Sequence, residues 1–283
     1  MKKTISVIVC SRGKDITTDQ RSNVEETADV DVEIVVIDNS ANTETIFSAY
    51  NKGVKSAKGD LLCFVHDDVM FRTNGWGRLI ETHFLADEKL GMIGFAGAHF
   101  LPNAPMYWDE SPFISEHNLT TRNGQTEQCF SLEHFCENAL SEVAAIDGMC
   151  FFVRRSLFDS IAFDEDTFNG FHLYDMDISM QVRKAEFKVC VCNDVLVEHF
   201  YDYNPSKAGF ELFEANLRKF YEKWSSQLPL AVGLGGMTEG VVSQLNDYVK
   251  RQMEMKESFE KIRESKAYRL GKTLLYPLKA LKK

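Results

Sequence analysis

Residues 61–69, with the sequence LLCFVHDDV, constrain the fold of this chain more than any other segment. The apolar part has the length and composition of a buried strand. Burying it carries Asp67 and Asp68 to the strand's carboxyl end, where α/β sheets open their ligand crevice. Ionised carboxylates near a core are costly unless a cation or hydrogen bonds compensate them. The pattern therefore favours a hard divalent metal that holds an anionic group, such as a phosphate.

Strand-like and helix-like patterns alternate along the first third of the chain, which is typical of α/β proteins. Apolar runs at residues 5–10, 32–37 and 61–65 have the length of buried strands. Segments with helical potential connect them, at 18–27 and 43–57. Near-continuous apolar strands separated by helices predict a mostly parallel central sheet flanked by helices.

The composition of the 283 residues is that of a globular protein, with 44% hydrophobic and 26% charged residues. The net charge of −10 argues against nonspecific nucleic-acid binding. No apolar stretch reaches the roughly 18 residues of a transmembrane helix, and residues 1–10 resemble a first strand more than a signal peptide. The seven cysteines include no CxxC pair, which argues against a zinc ribbon and favours a reducing cytoplasm.

The C-terminal part differs from the rest in composition. Residues 226–265 combine a glycine-rich linker with a polar helix. The tail from Lys266 to Lys283 has six basic residues and no acidic residue. Such a basic, amphipathic segment could lie on an anionic membrane surface, form a solvated end, or pack on a sister subunit of an oligomer. We expect the membrane contact, which would place a cytoplasmic protein at the inner face of the plasma membrane.

Polar residues follow four of the predicted strands: Ser11 and Arg12, Asp38, Asp67 and Asp68, and His199. The carboxyl ends of parallel strands meet at one edge of a sheet, so we expect these side chains to line one crevice. Aspartate oxygens suit Mg2+ or Mn2+, and an added imidazole from His199 favours Mn2+. The structural alternative is that the aspartates only form turns and that His199 is a structural residue whose hydrogen bonds are satisfied.

Further acidic positions also allow two interpretations each. Asp38 could accept hydrogen bonds from a base or ribose, or form an Asx-turn. Asp147 and Gly148 precede an apolar strand, where a glycine permits close approach of a ligand or simply forms a turn. Asp175 and Asp177 open a predicted helix whose dipole favours acidic residues, or one of them acts as a general base across the crevice.

Neither a GxGxxG segment after the first strand nor a P-loop motif is present, so a metal is the better candidate for holding phosphate. Several segments resemble the family 2 glycosyltransferases of GT-A fold: ISVIVCSR, EIVVIDNS, AYNKGVKSAKGDLLCFVHDDV, GFAGA, AIDGMCFFVRRSLFD and FDEDTFNGFHLYDMDISMQVRKAEFKV. Their order and spacing fit over about residues 4–200. The resemblance implies a GT-A domain over 1–225, with a nucleotide-sugar half at about 1–105 and an acceptor half at 106–225, followed by a C-terminal helical extension.

The resemblance also implies roles for individual residues. Those on the nucleotide side are Ser11, Asp38, Asn51 and Asp67. The metal ligands, for Mn2+ or Mg2+, are Asp68 and His199, and the catalytic base is Asp175. The residues assigned to the donor and acceptor sugars are Asp147, Gly148, Trp108 and Asp177.

Two residues depart from the family pattern, although both resemble a bacterial variant with an HxD-type site. His66 stands at the first position of the D-x-D motif, and Tyr174 stands where the family has Glu before the base. The segment 99–138, which we predict to be irregular, would supply the acceptor site. There Tyr107, Trp108 and Phe113 could stack on sugars or pack under a loop.

The resemblance implies transfer of a sugar from a nucleotide-diphospho-sugar, with UDP expected, to a glycan or lipid-linked acceptor. A single displacement assisted by the base would invert the anomeric centre. Two alternatives stay open. One is a nucleotidyltransferase on a similar sheet; the other is a catalytically silent nucleotide-sugar binding protein, which the two departures favour.

Overall fold

The computed structural model describes residues 5–131, 138–201, 207–235 and 237–266 of the chain. Within these ranges the chain forms fifteen strands: β1 (Ile5–Ser11), β2 (Val32–Asp38), β3 (Leu61–Val65), β4 (Val69–Phe71), β5 (Leu90–Gly94), β6 (Ala96–Ala98), β7 (Phe100–Leu101), β8 (Ile114–Arg122), β9 (Gln125–Phe130), β10 (Leu140–Glu142), β11 (Ala145–Ile146), β12 (Cys150–Arg154), β13 (Lys188–Cys192), β14 (Val197–Phe200) and β15 (Leu230–Ala231). The α-helices of the same ranges are α1 (Thr18–Thr27), α2 (Ile46–Ser56), α3 (Trp76–Ala86), α4 (Tyr174–Lys184), α5 (Lys207–Trp224) and α6 (Glu239–Glu264).

The central sheet contains seven strands in the order β10-β13-β5-β12-β3-β1-β2. Strand β1 is parallel to β2 and β3, and β5 is parallel to β13. Strand β12 lies antiparallel between β3 and β5, and β10 is antiparallel to β13. The predicted α/β architecture is confirmed. The sheet is mixed and not purely parallel, since β12 and β10 run against the other five strands. A continuous apolar run indicates that a strand is buried on both faces. It does not indicate whether the strand runs parallel or antiparallel to its neighbours.

The reversed direction of β12 matters because this strand starts at the carboxyl ends of its neighbours. Cys150 lies opposite Val65, the last residue of β3. The amide of His66 donates to the carbonyl of Met149 at 2.9 Å. The turn at 147–148 is therefore placed at the edge where the aspartates after β3 also lie.

The segment 99–138 was predicted to be a long loop, and this prediction is wrong. It contributes a hairpin to a second sheet, of order β11-β6-β8-β14-β4, in which β9 pairs with β8. The hairpin turns at Asn123 and Gly124, both with positive φ (50° and 74°), as Asn-Gly favours in two-residue hairpin turns. Strand β9, with the sequence QTEQCF, is mostly exposed, so its polar sequence lacks the alternation that marks a half-buried strand.

The apolar segment before His199 forms two strands, which lie in two different sheets. Strand β13 stays in the central sheet, whereas β14 joins the second sheet between β8 and β4. In the antiparallel pair with β4, His199 lies opposite Val69, and the amide of Phe200 donates to the carbonyl of Asp68 at 2.8 Å. His199 therefore reaches the end of β3 from a neighbouring sheet.

A buried aromatic cluster packs helices onto the central sheet near this edge. The ring centroids are 4.9 Å apart for Tyr50 and Phe64, 5.0 Å for Phe64 and Phe151, and 5.6 Å for Tyr50 and Tyr174. All four side chains are buried. The cluster thus extends from β3 and β12 to the first residue of α4.

The predicted linker after α5 is partly ordered into a small sheet, because β15 pairs antiparallel with β7. Helix α6 follows, and its Val249 packs with Phe100 and Met106 in a small separate hydrophobic cluster. Among the described residues, none of the helices has the length and apolar character that crossing a bilayer requires. The tail at 267–283 lies outside the described residues, so its membrane contact stays a prediction.

Candidate active site

The loops after β1 and β3 are joined by one arginine at the carboxyl edge of the sheet. The main-chain amide of Arg12 donates to Asp67 Oδ2 at 2.8 Å, and its Nη2 lies 2.6 Å from Asp67 Oδ1. The same Nη2 donates to Asp68 Oδ2 at 3.1 Å. Asp67 is thus paired with Arg12, while Asp68 keeps its other oxygen, Oδ1, for the interior of the site.

His66, Asp68 and His199 form a group with the geometry of a metal site. One ligand atom from each residue lies within 4.8 Å of the other two. Asp68 Oδ1 is 3.3 Å from His199 Nε2 and 4.0 Å from His66 Nδ1. This oxygen is buried and has no hydrogen-bond partner among the described residues. A buried carboxylate oxygen that faces two imidazoles without a hydrogen bond is well suited to a cation.

The protonation states of His66 and Asp68 also suit a metal. Burial and the neighbouring His199 lower the pKa of His66, so its imidazole is neutral near pH 7. Burial works against ionisation of Asp68, but its interactions with His199, His66 and Arg12 hold the pKa of the carboxyl below 3.8. Metal ligation needs neutral imidazoles and ionised carboxylates. The residues therefore fit a divalent cation, and two nitrogen ligands favour Mn2+ over Mg2+.

Tyr174 and Gly148 complete the surroundings of His66. His66 Nε2 lies 2.6 Å from the Tyr174 hydroxyl, which donates to the Gly148 carbonyl at 3.0 Å. A Cβ added to Gly148 would lie 2.2 Å from the same hydroxyl oxygen. The close approach expected at this glycine is therefore made by Tyr174, and contact of Gly148 with a sugar stays a prediction.

Asp175, the second residue of α4, is the candidate base, and its side chain is almost completely buried. Its Oδ2 accepts a hydrogen bond from the Tyr107 hydroxyl at 3.1 Å, and its Oδ1 accepts one from the Met176 amide at 2.9 Å. Burial, reinforced by the charge of Asp147, raises the pKa of Asp175 to about 7. A carboxylate with a pKa near neutrality is well matched to accept a proton from a hydroxyl group.

Ser11 and Asp38 lie at the same edge, as neighbours in the register of β1 and β2. The Ser11 hydroxyl donates to the Asp15 carbonyl at 3.1 Å. Asp38 is exposed, and its Oδ1 accepts a hydrogen bond from the Ser40 amide at 2.9 Å, as in an Asx-turn. The edge position agrees with the predicted crevice, and the nucleotide role of both residues stays a prediction.

Three other predicted site residues are held in structural contacts. The Asn51 side chain donates to the Phe163 carbonyl at 2.8 Å and accepts from the Phe163 amide at 3.1 Å. Asp177 is buried and pairs with Lys223 at 2.7 Å, so it connects α4 to α5. Trp108 is buried as well. None of these side chains contacts the three-residue metal group in the part of the chain that the structure describes.

The sequence indicated most of the residues that lie at this site. It did not indicate the residues with which they form hydrogen bonds. For Tyr107 the sequence left open stacking on a sugar or packing under a loop, and it did not predict the hydrogen bond from the Tyr107 hydroxyl to Asp175, 68 positions away in the sequence. Arg12 was considered only as part of a polar segment after β1. Neither pairing has a local signal, because no motif spacing connects residues on different loops.

A second group of metal-ligating types lies elsewhere, at His83, Cys192 and Asp194. Here the side chains satisfy one another. His83 Nε2 lies 2.9 Å from Asp194 Oδ2, and the Cys192 thiol donates to Asp194 Oδ1 at 3.0 Å. Burial raises the pKa of the Cys192 thiol, which favours the protonated form. We interpret this group as a structural contact between α3 and the turn after β13.

The chain belongs to a family of glycosyltransferases. The family described as "Glycosyltransferase like family" matches residues 6–216, which is most of the 283 residues. The enzyme class that the sequence predicts, a glycosyltransferase, is thereby confirmed. No curated protein is similar in sequence at a significant level.

Three solved structures share parts of the architecture at low sequence identity. TarS 1–349 of S. aureus in complex with UDP-GlcNAc has 12% identity and a TM-score of 0.47, over 86% of this chain and 70% of that one. GalNAc-T7 with UDP, GalNAc and Mn2+ has 12% identity and a TM-score of 0.45, over 72% and 45%. A197 from STIV has 14% identity and a TM-score of 0.41, over 71% and 86%. These likenesses are distant.

Replacing Asp175 with asparagine is expected to stabilise the fold at alkaline pH. The folded-state pKa of about 7 lies above the ordinary 3.8, so the unfolded carboxyl loses its proton first. Folding stability is therefore lost as pH rises from about 4 to 7, by up to roughly 4 kcal/mol. Thermal unfolding of Asp175→Asn and wild type should show the variant more stable at pH 8, with a smaller difference at pH 5. An equal difference at both pH values would show that Asp175 has no raised pKa.

Proposed function

We propose that this protein is a metal-dependent, inverting glycosyltransferase that moves a sugar from a nucleotide-diphospho-sugar to a hydroxyl group. The observation that carries the proposal is the metal group at the end of β3 together with a buried carboxylate of near-neutral pKa at the start of α4. One side of such a site would hold the anionic leaving group, and the other would take the proton of the acceptor. Membership in the glycosyltransferase family supports this reading over a nucleotidyltransferase.

The donor side combines cationic and metal-ligating groups around Asp68. When bound there, a divalent cation would neutralise the diphosphate that leaves the sugar. The side chain of Arg12, about 72% exposed, donates a hydrogen bond to Asp68 Oδ2 and could turn to a phosphate oxygen once a donor is present. Ser11 and Asp38 would contact the nucleotide, for which we propose UDP.

The acceptor side is organised by Asp175 and Tyr107. In its ionised form Asp175 would remove the proton of the acceptor hydroxyl as that oxygen attacks the anomeric carbon. Its Oδ2 is the oxygen bonded by Tyr107, so the acceptor hydroxyl would replace or share this hydrogen bond. Attack on the face opposite the leaving diphosphate inverts the configuration.

The acceptor is proposed to be a glycan or a lipid-linked glycan, handled at the inner face of the plasma membrane. The proposal is supported by the sequence of the tail, with its six basic residues and regularly placed leucines. Basic residues near anionic headgroups contribute about 1 kcal/mol each to membrane binding. The proposal of a cytoplasmic location follows from the same argument and from the reduced cysteines expected of the chain.

Asp68→Ala is expected to abolish metal-dependent donor binding, because it removes the carboxylate that faces the imidazoles of His66 and His199. Calorimetric titration with UDP and Mn2+ measures this, after a thermal-shift screen of nucleotide sugars has identified the donor. The matched control is Asp60→Ala, an exposed aspartate just before the opposite end of β3, for which affinity should not change. Unchanged affinity in Asp68→Ala would contradict the proposed metal site.

Two variants should move the pH dependence of transfer in opposite directions. Tyr107→Phe removes a hydrogen bond that favours ionised Asp175, so the rise of kcat/KM with pH should shift upward by about 0.5–1 unit. Asp147→Asn removes a negative neighbour, so the rise should shift downward. Asparagine keeps the acceptor oxygen that the Met149 amide uses at 2.8 Å. Shifts of the same sign, or none, would remove Asp175 from the role of base.

A further inference from the structure

The two departures from the family pattern, His66 and Tyr174, contact each other. The Tyr174 hydroxyl lies between two polar atoms, 2.6 Å from His66 Nε2 and 3.0 Å from the Gly148 carbonyl oxygen. A phenolic hydroxyl has one proton, and a carbonyl oxygen has none. The direction of the two hydrogen bonds can therefore be worked out from the partners.

The Gly148 carbonyl only accepts, so the Tyr174 proton is the one in the bond between them. The hydroxyl oxygen is then left to accept, and the proton in the 2.6 Å contact comes from His66 Nε2. A neutral imidazole that is protonated on Nε2 has its free electron pair on Nδ1. Nδ1 is the atom that lies 4.0 Å from Asp68 Oδ1.

We infer that Tyr174 is a positioning residue that fixes His66 as a third metal ligand through Nδ1. The inference rests on the proposed function, since it concerns the same metal site, and it adds the atom through which His66 binds and the residue that orients it. His66 thereby binds metal at the first position of the D-x-D motif, for which the sequence indicated no role. The group becomes two imidazoles and one carboxylate, with His66 and Asp68 in the loop after β3 and His199 in β14.

The position of the Tyr174 hydroxyl is itself fixed by packing. Its ring contacts Phe47, Tyr50 and Phe151, with centroid distances of 6.3, 5.6 and 6.4 Å. On the other side, Gly148 leaves no room for a Cβ, which would lie 2.2 Å from the hydroxyl oxygen. A hydroxyl held in this way determines both the tautomer and the orientation of the imidazole, as partners of metal-binding histidines commonly do.

The test measures Mn2+ binding by the full chain, with the free ion followed by electron paramagnetic resonance. Tyr174→Phe is expected to weaken Mn2+ affinity 10–100-fold, the usual effect of losing such a partner. The matched control is Tyr50→Phe, which removes a hydroxyl of the same aromatic cluster that has no hydrogen-bond partner among the described residues. Its Mn2+ affinity should equal that of wild type. Gly148→Ala, which displaces the Tyr174 hydroxyl, should weaken binding as Tyr174→Phe does.

A second measurement reads the tautomer directly, in wild-type protein without metal. Long-range proton–nitrogen correlation spectra of 15N-histidine-labelled protein should show His66 with its proton on Nε2, the signals being assigned by their loss in His66→Ala. A proton on Nδ1 would overturn the inference. Because the measurement uses wild-type protein, it tests the inference even if Tyr174→Phe does not fold.

The outcomes separate the inference from the proposed function. If wild type binds Mn2+ and Tyr174→Phe binds it equally well, the positioning role is overturned and the metal-dependent transferase stands. If wild type binds no Mn2+ at all, both the metal site and the role of His66 are overturned. Weaker binding confined to Tyr174→Phe and Gly148→Ala, with the Nε2 proton in wild type, supports the inference.

Discussion

The site depends on one buried carboxylate oxygen, Asp68 Oδ1, and on the imidazoles that surround it. Placing this oxygen next to a core is unfavourable unless positive charge or hydrogen bonds compensate it. In this chain the outer oxygen of Asp68 is paired with Arg12, and the inner one faces His66 and His199. Two sheets produce this arrangement. Strand β3 of the central sheet places Asp68 at the sheet edge, and β14 of the second sheet places His199 beside it.

A second buried carboxylate, Asp175, lies at the start of α4. Burial destabilises its ionised form, which is why its pKa is raised. The same burial that destabilises the ionised form prepares it to take a proton near neutral pH. The chain thus tolerates a loss of stability at the residue for which we propose the role of general base. The ring of Tyr174, one residue earlier, is held by the aromatic core, so the start of α4 orients both the proposed base and the surroundings of His66.

Much of the first half of the fold was predictable, because its strands are continuous apolar runs and its helices have regular spacing. Strands β1, β2 and β3 and helices α1 and α2 lie within a few residues of their predicted positions. The hairpin of β8 and β9 was missed, although its Asn123–Gly124 turn is a recognisable hairpin signal. The polar, exposed sequence of β9 hid it, since exposed strands lack the alternation on which strand prediction relies.

The sequence by itself determined which residues have the chemistry: a carboxylate pair after a buried strand, a second acidic pair at a helix start, and a histidine after an apolar run. It also determined the family, through the order and spacing of its motifs. Only the tertiary structure decided the partners, because hydrogen bonds between His66 and Tyr174 or Asp175 and Tyr107 connect residues 68 to 108 positions apart. The direction of β12 and the sheet that holds His199 were decided in the same way, since both follow from packing between distant segments and not from any local pattern.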